Sequence, residues 1–416
     1  MNTRIHILET YIHFLKERKS KNIEKLSLIF SYWLDDFFYL NKFYLNKKII
    51  NINEIEKVNI NKFLTTQRND FDKISKTNFL KKILKNLILF CLPLKKIFYT
   101  GSESLCNKFD LFKSNIFISY VNEIKIFDEK FKNTFVDKID STNYKKNDFK
   151  DSFFKILPNT FFSKNFDIPF ASNNIYLYGS PLVFITNYNF IKIFFLNTEL
   201  YFHGFQHGSN YGFFKVNKFE NYELNFSNKY FYWFGKENLG PTRFKKNKKY
   251  FSEKILLKSK FIIVGQAKLN EYLKYTIKGI EYYFKNDDEI ISFFNKTDLL
   301  KKKFYFFNYY SNKINPKRKK IENFINPSFH VLIFSSISST MLYYAILKCI
   351  PFVIISKKTE EDIHTNFYYN FIYKLKCLNS YFEMSQEFYF KKELINLQSN
   401  DYYLEKQNQI KKIFKV

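Results

Sequence analysis

A chain of 416 residues exceeds what one compact core usually spans, so two domains fit its length. Its 46% hydrophobic and 21% aromatic content excludes a disordered polymer, which lacks the apolar surface to offset the entropy of ordering. The formal charge of +28 is carried almost wholly by lysine, with arginine only at Arg4, Arg18, Arg68, Arg243 and Arg318. Nucleic-acid readers rely on the Arg fork for phosphate and base edges. The charge therefore argues against a nucleic-acid partner and for a basic surface attractive to anionic membranes or acidic substrates. Cys91, Cys106, Cys349 and Cys377 show no CxxC or metal-ligand spacing, which points to a reducing compartment. Cys349, in an apolar stretch, reads as core packing. The N-terminal stretch lacks an uninterrupted apolar h-region, so a cytoplasmic chain is expected, peripheral at most to a membrane.

Residues 1–45 read as helical, with Leu26, Phe30, Trp33, Leu34, Phe37 and Phe38 on one broad apolar face. Residues 46–155 mix Lys, Asn and Asp with short apolar runs such as NLILFCLPL and SNIFISYV, and read only as alternating strands and helices. PLVFITN (Pro181–Asn187), KYFYWFG (Lys229–Gly235) and KFIIVGQ (Lys260–Gln266) read as strands. KLNEYLKYTIKGIEYYF reads as a helix and KKFYFFNYY as a strand. The apolar run Val331–Ile355 has the length of a membrane span but carries four serines, Thr340, Lys348 and Pro351. It reads better as strand, serine-rich turn, helix, strand. Such alternation predicts an α/β architecture: two Rossmann-like domains facing a cleft, with a helical N-terminal region. The first domain, residues 1–250, carries the turn described next. The second is expected over residues 251–416.

The stretch YFHGFQHGSNYGFF (Tyr201–Phe214) holds three of the nine glycines and two of the six histidines. If it is extended, His203 and His207 share a face about 13 Å apart, too far for one metal ion. Gly204 and Gly208 disfavour the helix that a zinc pair would need. Gly208 and Gly212 permit positive φ and let backbone amides approach a bound group. His207, at a strand end, stands where α/β sheets bind ligands. A tight turn with a backbone-bonded histidine is the plainer alternative. Glu220 and Glu223 follow closely; a carboxylate beside an imidazole suits general acid–base work, and two solvated glutamates are the alternative. In SSISST (Ser335–Thr340), Ser338, Ser339 and Thr340 can cap a helix start that favours a phosphate. Arg243 and Arg318, in a lysine-rich chain, mark either a planar fork or an ordinary surface ion pair.

With these residues laid out, the second half resembles a family of bacterial surface-carbohydrate transferases of lipopolysaccharide and capsule synthesis. That family carries T-S-N, Q-H-G-G-x-Y-G, E-x-H-E, a Ser-Asp pair before a W-G strand, and S-T-T-x-L-E opening a helix. The corresponding stretches here are Ile185–Asn187, QHGSNYG (Gln206–Gly212), ENYE (Glu220–Glu223), SNKYFYWFG (Ser227–Gly235) and SSTMLY (Ser338–Tyr343). NFYYNFIYKLKCL is similar to the helix that follows in the family. The likeness covers roughly residues 165–390. It implies a GT-B-like glycosyltransferase that moves a sugar from a nucleotide-activated donor, with a CMP-linked acidic sugar suggested by the Ser/Thr block, to a glycan or lipid-linked acceptor. No cofactor is implied. His207, with Glu220 or Glu223, becomes the catalytic group; Gln206, Gly208, Gly212, Ser338, Ser339, Thr340 and Arg243 become donor and phosphate contacts. Ser209, Tyr222, Asn228 and Tyr343 stand where the family has Gly, His, Asp and Glu, and Tyr343 removes a carboxylate that often holds a ribose. A polyol-phosphate transferase and a non-catalytic binding member are the alternatives.

Overall fold

The structure is a computed structural model. It describes residues 3–45, 94–98, 108–140, 153, 157–168, 171–182, 184, 188–206, 208, 210–233, 259–265, 304–307, 325–356 and 363–416. The chain forms two compact units: Met1–Phe205 with Asn221–Phe231, and Gln206–Glu220 with Tyr232–Val416. The expected boundary at residue 250 lies outside the described residues, and the turn Gln206–Glu220 belongs with the second unit.

In the first unit, helices α1 (Thr3–Glu17) and α2 (Ile23–Leu45) fulfil the helical reading of the N-terminus. Leu26, Ile29, Phe30, Trp33, Leu34 and Phe37 are buried, at the three-and-four spacing that puts them on one face. Tyr11 stacks on Phe30 at 4.0 Å between ring centroids, and its hydroxyl donates to the Phe161 carbonyl at 2.9 Å. The run SNIFISYV lies within a helix, α3 (Lys108–Glu123), and α4 (Glu129–Asp140) follows. Four parallel strands stand in chain order: β1 (Leu94–Phe98), β2 (Ala171–Gly179), β3 (Glu199–Phe205) and β4 (Lys229–Phe231). Asn22, just before α2, joins that helix to β3. Its amide donates to the Thr198 carbonyl at 3.0 Å and its oxygen accepts the Leu200 N–H at 3.0 Å.

The two faces of this sheet differ. Ile175, Leu177, Leu200 and Phe202 are buried, with Phe202 against Phe184 at 5.4 Å and Phe226 at 5.0 Å. The opposite face carries Tyr176, Tyr178, Tyr201 and His203, all only half-buried, and the exposed Lys96 and Lys229. The strand expected at Pro181–Asn187 is not one in its described part. Pro181 opens a turn closed by the Phe184 N–H on the Pro181 carbonyl at 2.9 Å, and Leu182 and Phe184 are helical. The strand lies just upstream, at β2.

The second unit is built on a five-stranded parallel sheet in the order β6-β5-β7-β8-β9. Its strands are β5 (Phe261–Val264), β6 (Phe304–Phe307), β7 (Val331–Phe334), β8 (Phe352–Ser356) and β9 (Tyr381–Glu383). Alternate residues feed two separate cores. Ile262, Val264, Leu332, Phe334, Phe352 and Ile354 join one, and Phe261, Ile263, Val331, Ile333, Val353 and Ile355 the other. A parallel sheet covered on both faces needs such near-continuous apolar strands. Helix α5 (Lys218–Phe226) lies between β3 and β4 in the chain. After β7 come α6 (Thr340–Leu347), α7 (Asn366–Cys377), α8 (Glu387–Asn396) and α9 (Asn400–Phe414). The apolar run Val331–Ile355 is thus strand, turn, helix and strand, as its serines and proline imply. Among the described residues no helix is long and apolar enough to cross a membrane. Cys349 is half-buried beside the first of the two cores, and burial raises its thiol pKa.

Candidate ligand site at the carboxyl edge of the second sheet

Strands β5 and β7 are neighbours, with Val264 in register with Phe334, although β6 lies between them in the chain. β6 continues the sheet on one side of this pair and β8 and β9 on the other. The direction of winding therefore reverses between β5 and β7. In open α/β sheets, ligands bind outside the carboxyl ends of the strands at such a reversal. Here those ends run into buried Gly265 and into Ser335–Thr340.

The serine segment divides its work. Ser335 and Ser336 are buried, and the Ser336 hydroxyl accepts the Ser338 N–H at 3.0 Å. Ser339 is the N-cap of α6 with extended backbone, φ −91 and ψ 125, but its hydroxyl makes no capping hydrogen bond. The expectation that this side chain closes the helix end is therefore corrected: it stands at the N-cap without bonding the first-turn amides. Ser338 and Thr340 are half-buried on either side of it.

The turn is held by its own side chains. β3 ends at Phe205, and Gln206 follows, buried, its amide donating to the Gly208 carbonyl at 2.6 Å and its oxygen accepting the Trp233 N–H at 2.9 Å. Gly212 has φ +78, the left-handed region that favours glycine. Gly208, which also permits such a φ, does not adopt it; a Cβ there would meet only the Tyr211 ring, at an ordinary 3.5 Å. Thr365 donates its hydroxyl to the Gly212 carbonyl and its N–H to the Phe213 carbonyl at 3.1 Å, and the Lys215 N–H reaches the Ile363 carbonyl at 2.9 Å. Phe214 forms a bridge with His364, whose buried ring stacks on Tyr368 at 3.8 Å. Phe213, Phe214, Trp233, Met341 and Tyr343 share one core, with Trp233 edge-on to Tyr343 at 5.0 Å. Packing thus brings the turn and the serine-led helix into the same unit.

The two glutamates are neither solvated nor exposed to a reacting group. Buried Glu220 accepts the Gly212 N–H at 2.8 Å on one oxygen and the Tyr232 hydroxyl at 3.1 Å on the other. Its own N–H donates to Asn217 Oδ1 at 3.2 Å, an N-cap for α5. Glu223 lies in the first unit, fully buried. There it accepts from the Ser180 hydroxyl at 3.1 Å, the Leu182 N–H at 3.2 Å and the Tyr230 hydroxyl at 2.7 Å. Carboxylates with both oxygens engaged hold backbone in place. Tyr343 is buried, and burial, reinforced by the Glu220 charge, pushes its phenol far above the ordinary range, so it stays neutral.

Tyr343, Tyr222 and Asn228, which differ from the resembled pattern, are each engaged by neighbours. Tyr343 lies near-parallel to Phe371 at 6.0 Å, and Tyr222 stacks on Phe226 at 5.7 Å. Asn228 Oδ1 accepts the Phe202 N–H at 2.7 Å. His207, Ser209, Arg243 and Ile185–Asn187 lie outside the described residues. Thr365 escaped the sequence reading although its signal was there, a threonine directly before the helical run NFYYNFIYKLKC; its hydroxyl also accepts the Tyr368 N–H at 3.2 Å. Compared with family models, curated proteins and solved structures, the chain matches none.

Proposed function

We propose that the chain is a glycosyltransferase of the GT-B kind that takes a sugar from a nucleotide-activated donor, of which a CMP-linked acidic sugar fits the serine block best. The acceptor is a bacterial surface glycan. The observation that supports this reading most is the winding reversal between β5 and β7, with Gly265 and Ser335–Thr340 at the carboxyl ends of those two strands. The amides at the start of α6 offer partial positive charge to a phosphate, and Gly265 admits close backbone approach. As sugar–phosphate cleavage builds charge on the leaving phosphate, such fixed dipoles stabilise it. His207, opening the turn, is assigned the proton transfer, since Glu220 and Glu223 are committed to other bonds.

Thermal-shift titration of the full chain with CMP, CDP, UDP, GDP and TDP tests this. Stabilisation by one of them is expected, and none by any would remove the donor site. Ser339→Asp is the sharper probe. Aspartate is a good N-cap, so folding stability should hold or rise by about 0.3 kcal/mol, while nucleotide affinity should fall about tenfold or more by charge repulsion. Unchanged affinity in that variant would place the phosphate elsewhere.

A further inference from the structure

Parallel sheets are ordinarily covered on both faces, as the second sheet is. The first sheet is less fully buried on one of its faces. One face is solid core; the other presents two ladders of in-register residues: Lys96, Tyr176 and Tyr201, then Tyr178, His203 and Lys229. None of these six is buried, and both lysines are exposed. Glu199, at the start of β3, is the one acid on these rows among the described residues, and it accepts the Tyr201 hydroxyl at 2.9 Å.

A basic face lined by aromatic rings suits either single-stranded nucleic acid or an acidic oligosaccharide, and ring orientation separates the two. Base stacking needs free ring faces. Here Tyr176 and Tyr201 stack on each other, 5.3 Å between centroids with planes 24° apart. His203 meets Tyr178 at 4.8 Å and 74°, edge against face. Each contact covers one face of a ring, so beside a reduced stacking area the surface offers phenol hydroxyls, an imidazole and two ammonium groups. That set matches the hydroxyls and carboxylates of an acidic sugar chain.

We propose that this face of the first sheet is a binding surface for an acidic oligosaccharide, with Lys96 and Lys229 pairing its anionic groups and Tyr176, Tyr178, Tyr201 and His203 hydrogen-bonding its hydroxyls. That the bound chain is the acceptor rests on the transferase reading; the binding itself does not.

Calorimetric titration of the full chain at about 0.15 M salt tests it with three probes. These are a tetramer of an α2,8-linked carboxylated sugar, neutral maltotetraose, and an oligothymidylate of equal charge. The acidic tetramer is expected to bind about tenfold tighter than either other probe. Lys96→Ser with Lys229→Ser should weaken it about tenfold, and Tyr176→Phe, which keeps the ring pair and removes one hydroxyl, several-fold. Equal binding of maltotetraose would overturn the charge pairing. Equal or tighter binding of the oligothymidylate would make the surface a nucleic-acid one. Undiminished binding in the double variant would put the glycan elsewhere. None of these substitutions should alter stabilisation by nucleotides. Loss of nucleotide response with glycan binding intact would therefore sink the transferase reading alone.

Discussion

Three glycines four residues apart behave in three ways, each following from what a Cβ would meet. At Gly204 it would lie 2.2 Å from Ser227 Oγ and 2.6 Å from the Tyr230 ring. At Gly212 the φ of +78 is the obstacle, with Phe367 at 3.1 Å. At Gly208 neither obstacle exists. Gly204→Ala should therefore destabilise by about 2–4 kcal/mol, through overpacking against backbone-anchored neighbours. Gly212→Ala should cost about 1–2 kcal/mol. Gly208→Ala should stabilise by about 0.4–1 kcal/mol, by restricting the unfolded chain. Urea midpoints of the three variants check the order. A destabilised Gly208→Ala would show that its backbone needs glycine after all. The sequence advertised the cluster but not this division of labour. A glycine's reason is either its own dihedral angle or a neighbour such as Ser227, distant in the chain, and spacing reports neither.

At the scale of elements, the sheets and their crossover helices carry two further tests. On β3, burial first and then the charges of Lys229 and Lys96 hold the His203 imidazole below its ordinary value of 6.5. The unfolded chain thus binds more protons there in the window just below 6.5. The contribution is complete above 6.5 and is lost as pH falls toward the folded-state value. His203→Gln should flatten part of the stability loss between pH 7.5 and 5.5, read as the difference in urea midpoints at about those values; an unchanged pH profile would assign that loss to other groups. In the second unit, Lys406 on α9 forms a buried pair with Glu393 on α8 and also donates to the Leu378 carbonyl. Burial lowers the lysine's pKa, opposed by Glu393. Lys406→Met leaves Glu393 uncompensated in the core and should cost about 3–5 kcal/mol, whereas adding Glu393→Leu should recover much of it. A mild single variant would mean that water reaches the pair. Strand runs such as FIIV, VLIF and FVII were legible because burial on both faces demands continuous apolar sequence. PLVFITN has the same composition, yet its described residues are turn and helix, since Leu182 gives its N–H to Glu223 rather than to a neighbouring strand.

Across the whole molecule, a formal charge of +28 makes the folded chain repel itself. Raising salt from about 0.02 to 0.3 M should raise Tm by a few degrees through screening. A fall would mean that half-buried surface pairs such as Lys391 with Glu387 outweigh the repulsion. Sequence by itself determined that the chain is α/β with parallel sheets, that its N-terminus is helical, and that Val331–Ile355 is a strand–turn–helix–strand segment. These are properties of local pattern: period, apolar run length and the punctuation of Ser, Gly and Pro. Tertiary structure alone decided that the turn Gln206–Glu220 joins the second unit, that Glu220 and Glu223 are buried hydrogen-bond acceptors, and that the first sheet keeps one aromatic, lysine-flanked face half-exposed. Each of these depends on which distant residues arrive alongside (Tyr232, Thr365, Ser180, Tyr230), and no periodicity along a chain encodes what will stand across from it.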